Sequence, residues 1–549
     1  MRDPWLLVVL ALSASLGLYQ LTWGLPNGDH SWAADALGPV TVLGIVRRSL
    51  AEWNSGWFYF KYPVGYPLML FAVSAPYLAW LFVSGQLRQP KAVYPYGFSD
   101  PENALYAMAL LGRCLSVICL VATVALTYDI GRRLFGRTAG RLAAWFVASA
   151  YPVLYYAHTT NLDAAYLCWL ALALWAAVVA AEGERRWPYV ALGIAAAMAV
   201  STKEQAFAFL LPLPLVIAVR RYRAQPAALG GAQRWATALW NRGTRAGLTA
   251  TMLALTIGSN VAWNPSGFVN RIRYLSGQQI PGVSARLAPV EFGLFKGADK
   301  EWQYLQQLYD AIESSLGLPL VLTSAAGVVY VALRYRSAAA ALLLPAAAQY
   351  YLSLRTLDLI TLRYTLPLSL IIALCAGALC ADALASPARY LAGAVVAGLC
   401  VLGLARAIEL DLLLRDDPRY YAEAWLRRNV AAASAVEVYQ KPVYLPRLRG
   451  LNARTVALEE RTLAGLSQRR PDFIVTSSAA KKGITHRWRT DWRQGLLEPG
   501  AGAPDFLRAL ESEQLPYRAV ARFRQQPALL RVRITSLCPE ITVFARSNP

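Results

Sequence analysis

The sequence predicts an α-helical polytopic membrane protein of about eleven transmembrane helices with a C-terminal soluble α/β extracytoplasmic domain. Three observations predict it. Of the 549 residues, 56% are hydrophobic and only 16% charged, with a mean hydropathy of +0.34, which is too apolar for an ordinary soluble domain. Apolar runs of roughly spanning length recur near 4–23, 107–130, 139–157, 163–181, 187–202, 205–219, 246–263, 317–333, 338–353, 364–382 and 390–408. After about residue 410 the composition shifts. RDDPRYYAEAWLRRN reads there as an amphipathic helix, and EVYQKPVYLP, PDFIVTS, YRAVARF and EITVFAR read as short strands.

The net charge of +21 does not indicate nucleic acid, because Arg and Lys cluster in short loops between apolar runs instead of forming one basic face. The pattern encodes topology. The loops GRRLFGRTAGR (131–141), GERRW (183–187), 220–245, RYR (334–336) and SPAR (386–389) all fall on the cytoplasmic side if Tyr66–Gly85 does not cross. Counting 66–85 as a span places every one of them outside. With its flanking aromatics and Pro67 and Pro76, that stretch is expected to be a re-entrant or interfacial helix. The first run lacks a small-residue cleavage site and reads as an uncleaved span with a cytoplasmic N-terminus. A transmembrane domain over 1–409 then carries a long first external loop, about 24–105, and residues 410–549 form the external domain. The seven cysteines (Cys114, Cys119, Cys168, Cys375, Cys380, Cys400 and Cys538) lack metal-ligand spacing and sit mostly in apolar runs, so they read as small buried hydrophobes.

Chemistry-bearing residues gather at the expected external ends of spans. Asp29, in LPNGDHSWAAD directly after the first span, is a candidate general base, because a carboxylate partly withdrawn from water has a raised pKa. It is equally a helix N-cap. Lys61, among Trp, Tyr and Phe before the interfacial helix, suits a lipid phosphate or snorkels toward head groups. Lys203 and Glu204 in STKEQ face a cavity or are loop charges. Asp163, with His158 nearby in HTTNLDAAY, is a second carboxylate or another N-cap. A metal site of Asp29, His30, His158 and Asp163 is chemically admissible but has no diagnostic spacing. Arg363 and Tyr364 in TLRYTLP form a phosphate clamp or an interfacial anchor.

These segments together resemble the GT-C glycosyltransferases of the protein O-mannosyltransferase and aminoarabinose transferase (glycosyltransferase family 39-like) group. The resemblance rests on the Asp after the first span, Lys61-Tyr62-Pro63, the stretch from GRCLSV through YDIGRRLFGRTAGRLAAWFVASAYPVLYYAHTTNLDAAY (112–166), STKE (201–204) and RYTLP (363–367). It implies GT-C architecture and transfer of a sugar from a polyprenyl-phosphate donor to a lipid, glycan or protein acceptor. The setting it implies is the extracytoplasmic face of a plasma (bacterial inner) membrane. By motif match it makes Asp29 the catalytic base and Lys61, Lys203 and Arg363 donor-phosphate contacts. His30, Tyr62, Arg113, His158, Asp163, Glu204 and Tyr364 then surround the cavity. Two positions depart from the group: Asp29-His30 stands where many relatives have Asp-Glu, and Phe60 stands where aminoarabinose transferases place Glu. No cofactor is required by this reading; a divalent cation is admissible. The rival expectation is a transporter or flippase of lipid-linked sugars, for which repeated broken helices and mid-bilayer charges would be the signature. The charges here sit at span ends instead.

Overall fold

A computed structural model describes residues 3–25, 32, 42, 44–45, 48, 52–58, 62–90, 95–183, 185–226, 229–280, 297–356, 360–457, 460, 463–479, 509–512, 514–534 and 536–547. Each of the eleven apolar runs falls on helix. The first half carries α1 (Pro4–Leu18), α2 (Gly65–Val83), α3 (Pro101–Phe135), α4 (Arg137–Ala148), α5 (Tyr151–Ala157), α6 (Asp163–Glu182) and α7 (Trp187–Thr202). There follow α8 (Ala206–Leu210), α9 (Leu213–Ala224), α10 (Gly231–Leu239), α11 (Arg242–Gly258), α12 (Pro265–Leu275), α13 (Ala298–Leu316), α14 (Leu318–Arg334), α15 (Arg336–Leu352), α16 (Leu366–Leu384) and α17 (Arg389–Arg415).

Among the described residues, six helices are long and apolar enough to cross a membrane, α2 among them, and a pair bent by 115°, α13 with α14, makes a seventh candidate. Several expected runs are instead shorter or broken helices. Pro152 opens α5 after a break at Ser149–Ala150, and Pro212 and Pro214 interrupt 205–219, because proline lacks the amide that would continue the ladder. Gly317, at φ +79°, forms the corner between α13 and α14.

The helices pack through small residues. A Cβ on Gly377 of α16 would lie 2.7 Å from the Ala139 carbonyl of α4, and one on Gly193 of α7 would meet the Gly247 carbonyl of α11 at 2.3 Å. Backbones that close leave no room for a side chain, and dispersion and close contact hold such helices in an apolar medium. At the start of α1, Asp3 caps the helix, accepts from Tyr128 at 2.7 Å and pairs with Arg141 at 2.9 Å. The Arg141 contact, with that of Tyr128, holds its carboxyl down at about 2.

The chain divides into two compact units, Met1–Leu21 with Ala36–Ile408, and Thr22–Asp35 with Glu409–Pro549. In the second unit, α18 (Pro418–Asn429) and α19 (Leu463–Arg469) accompany β1 (Ala435–Val438), β2 (Asn452–Thr455), β3 (Phe473–Ser477), β4 (Tyr517–Phe523) and β5 (Ile541–Arg546). The strand order is β2-β1-β3-β5-β4, parallel on the β2-β1-β3 side and antiparallel across β3-β5-β4. Side chains alternate across this sheet. Val436, Val438, Val475, Ile541 and Val543 pack with Ala422 and Leu426 of α18, while Ile474, Phe544, Tyr439 and Tyr517 form a core on the other face with Leu466. Buried Glu437 accepts from Arg469 of α19 and from Tyr439, whose phenol burial and Glu437 together push up. The protein is thus a helical membrane protein with a C-terminal α/β unit.

Candidate functional site

Four separated segments meet in the first unit. Asp163 opens α6, and its carboxylate accepts from the Lys203 ammonium at 2.7 Å. Lys203 ends α7 with its backbone amide bonded to Ala199, and only 2% of it is exposed. Its ammonium stands 4.9 Å from the centre of the Tyr166 ring and 4.5 Å from that of Tyr364. An ammonium between two aromatic faces and a carboxylate is neutralised without water.

Tyr364 closes a short 3-10 turn, Leu362–Tyr364, whose Arg363 donates to the Tyr364 hydroxyl at 2.9 Å. The Arg363 guanidinium also lies 4.9 Å from the Tyr364 ring centre and 6.0 Å from that of Tyr62. A continuous line of contact therefore runs from Asp163 through Lys203, Tyr364 and Arg363 to Tyr62. Arg363 is half-buried, whereas Lys203 is sealed. The residue better placed for direct contact with an anion is Arg363. Asp163 Oδ2, the Asn161 amide and the Thr202 hydroxyl are buried with no protein hydrogen-bond partner among the described residues, so polar groups remain here to meet water or substrate.

The other expected residues are placed differently. Arg113 is fully buried and donates to the Leu21 carbonyl at 2.6 Å. The two ring nitrogens of His158 lie 2.9 Å from the Leu154 carbonyl and 2.8 Å from the Tyr19 carbonyl. Both side chains are ties to the turn after α1, where Gln20 adopts φ +54°. A histidine with both nitrogens at carbonyls is poorly disposed to bind metal, and no metal-holding cluster occurs among the described residues. Glu204 pairs with Arg271 of α12, a partner the sequence did not suggest. Asp163 is not an N-cap, since Leu162 holds that position without a side-chain bond. Asp29, His30, Phe60 and Lys61 lie outside the described residues.

The approach to Lys61 is described up to Phe58 and is held by asparagines. Asn264 accepts from the Gly56 amide at 3.0 Å and donates to the Trp57 carbonyl at 2.6 Å, and Asn270 donates to the Gly56 carbonyl at 3.0 Å. Near Thr356, buried Arg355 forms an ion pair with Glu301 of α13. Sequence reading missed Asn264, Asn270, Arg271 and Arg355. The only local signal was NPSGF, an Asn-Pro that reads as a helix start.

The Asp163–Lys203 geometry sets an expected outcome. Asp163→Asn leaves a buried ammonium without its counter-charge and should destabilise the protein by about 3–5 kcal/mol, with Asp163→Asn/Lys203→Met recovering much of the loss. Thermal melting in detergent reads this, and a wild-type melting curve for Asp163→Asn would count against the pair's structural weight.

The family model described as "Dolichyl-phosphate-mannose-protein mannosyltransferase" matches residues 109–231. No curated protein sequence gives a significant match. Solved structures that align include ArnT from Cupriavidus metallidurans in the apo state, with TM-score 0.48 and 13% identity, covering 98% of this chain and 98% of that chain. The same protein bound to undecaprenyl phosphate aligns with TM-score 0.46 and 13% identity over 99% and 98%. The Archaeoglobus fulgidus oligosaccharyltransferase tethered with an acceptor peptide aligns with TM-score 0.46 and 12% identity over 92% of this chain and 72% of that one. Over the matched stretch, which holds Arg113, His158, Asp163 and Lys203, the chain resembles the GT-C type glycosyltransferases of the protein mannosyltransferase group.

Proposed function

We propose that the protein transfers a sugar from a polyprenyl-phosphate-linked donor to an acceptor hydroxyl, with inversion, on the extracytoplasmic face of a plasma membrane. The observation that carries this reading is the convergence of Tyr62, Asp163, Lys203, Arg363 and Tyr364 from segments spread over three hundred residues, two of them within the matched family segment. The acceptor oxygen attacks the anomeric carbon while Asp29 takes its proton. The bond from the anomeric carbon to the phosphate oxygen breaks, and polyprenyl phosphate leaves with the electron pair. Phosphate is already a good leaving group, so no general acid is needed. Lys61 and Arg363 supply the direct cationic contacts. Lys203, its charge met by Asp163, adds to the positive field and holds the Tyr364 ring that Arg363 lies against. The acceptor is a lipid, glycan or protein. Asp29→Asn should express and fold like the parent and lose transfer; near-normal turnover would remove Asp29 from the role of base.

The orientation rests on charge. Residues 131–141 and 220–245 hold ten Arg, against the single Lys203 in the short loops 157–163 and 201–205. A bias of that size sets orientation more strongly than the length of one apolar helix, and α2 is accordingly assigned to the interface, leaving eleven spans and an external α/β unit. Gln279, Ala433 and Ser337 are exposed and serve as probes. In a cysteine-free background, Gln279→Cys and Ala433→Cys should react with an impermeant thiol reagent on intact cells, and Ser337→Cys only after lysis. The reverse pattern inverts the model.

A further inference from the structure

In the second unit the sheet ends on β4, which pairs with β5 on one side and, among the described residues, with no strand on the other. Apart from the bonds to β5, residues 518–523 make no backbone hydrogen bond among the described residues. The strand is seven residues long and so offers about 23 Å of open edge. Such an edge is a template for a further extended chain. Proteins blunt exposed edges with charge and with bulges, and β4 has both: Arg518 and Arg522 are exposed, and the register shifts between Ala519 and Ala521. Blunting by arginine is selective, because it repels a basic strand and admits an acidic one.

The bulge also re-aims the end of the strand. Ala519 packs with Phe544 on one face of the sheet, whereas Ala521 and Phe523 pack on the face that α18 covers. In an unbroken strand these positions would share a face. The extra residue thus brings Phe523 to Trp425 of α18, with ring centres 6.4 Å apart. Beside these rings lies a groove of about 680 Å³, lined by Tyr421, Trp425 and Arg428 of α18 and by Arg522, Phe523 and Arg524 at the end of β4. That volume is ample for several side chains of a ligand. Arg428 and Arg522 make no ion pair or side-chain hydrogen bond among the described residues, and Arg524 reaches Glu540 only at 3.9 Å. Asp416, the acidic residue of the lining, is already met by Arg415 at 2.6 Å. The groove is therefore positive, and its rings are open to a ligand: Tyr421 is exposed, and Trp425 and Phe523 are half-buried.

We propose that this groove and the free edge of β4 bind an extended, acidic segment of a protein partner, which joins the sheet as a further strand. The partner's backbone pairs with the edge, its carboxylates meet Arg428 and Arg522, and its apolar side chains lie against Tyr421, Trp425 and Phe523. Strand addition draws affinity from main-chain hydrogen bonds and selectivity from side-chain pockets, and the planar guanidinium fork matches a carboxylate. A lipid head group would use the charges and leave the edge unpaired, so the free edge favours a polypeptide. This binding stands apart from sugar transfer and involves the second unit alone.

The test uses the full-length protein in detergent and a fluorescent octapeptide of alternating valine and glutamate, with binding read by anisotropy. The peptide should bind, and its counterpart of alternating valine and lysine should not. N-methylation throughout keeps the carboxylates but removes every amide donor, and should weaken binding by about tenfold or more. Arg428→Glu/Arg522→Glu should reverse the preference between the two peptides. Arg428→Ala/Arg522→Ala, which serves if the reversed variant does not accumulate, should weaken the acidic peptide by about tenfold. Equal affinity of the N-methylated peptide would mark a merely charged surface, suited to lipid head groups, and overturns the proposal. Failure of the acidic peptide to bind, or unaltered binding by the arginine variants, overturns it as well.

Discussion

The buried ion pair between Lys203 and Asp163 joins the end of α7 to the start of α6 and fixes the surroundings of both. In a low-dielectric interior an ammonium and a carboxylate are each costly alone and tolerable only together. Once formed, the pair dictates which aromatic rings stand nearby. Tyr166 sits on the same helix as Asp163, one turn on, and Tyr364 closes the other side of the ammonium. Arg363, next in the line, stays half-buried because the rings of Tyr364 and Tyr62 take up its guanidinium face. The membrane-helical unit thereby separates a sealed charge, Lys203, from a half-buried one, Arg363.

The run of chain from α1 toward Asp29 shows the same economy of means. Within the first unit, Arg113 and His158 take the carbonyls of Leu21 and Tyr19. Within the second, Arg419 and Arg447 organise Trp23, Leu25 and Trp32. Arg113 and His158 thus each meet a backbone carbonyl that a buried chain must satisfy in any case.

Much of the architecture was legible because it follows from periodicity and length. Apolar runs became helices, and α18, β3, β4 and β5 fall on the segments that alternate or show a helical face. Strand β2 was not legible: NART is polar and exposed throughout, and it pairs only because β1 lies beside it. In the candidate site, the residue types were legible and their partners were not. Lys203 and Asp163 are 40 positions apart, and nothing local distinguishes a lysine that will be paired from one that will meet a phosphate. Arg271 and Arg355 were invisible for the same reason, since each is defined by a carboxylate distant in the sequence, Glu204 and Glu301. Neither Arg419 nor Arg447 carries a local signal that sets it apart from the other arginines of the tail. Only the fold places a tryptophan from residue 32 between them.

Sugar transfer breaks a covalent bond to the donor phosphate and transport leaves it intact, so the fate of that bond distinguishes the two. The direct measurement is mass spectrometry of lipids after purified protein in detergent, with no second compartment, is incubated with polyprenyl-phosphate-linked hexoses and pentoses, one at a time, and a membrane extract as acceptor source. The account predicts time-dependent appearance of sugar-free polyprenyl phosphate matched by a glycosylated product for one of the donors. Intact donor in every incubation, with the same preparation moving lipid-linked sugar across vesicle bilayers, would contradict it.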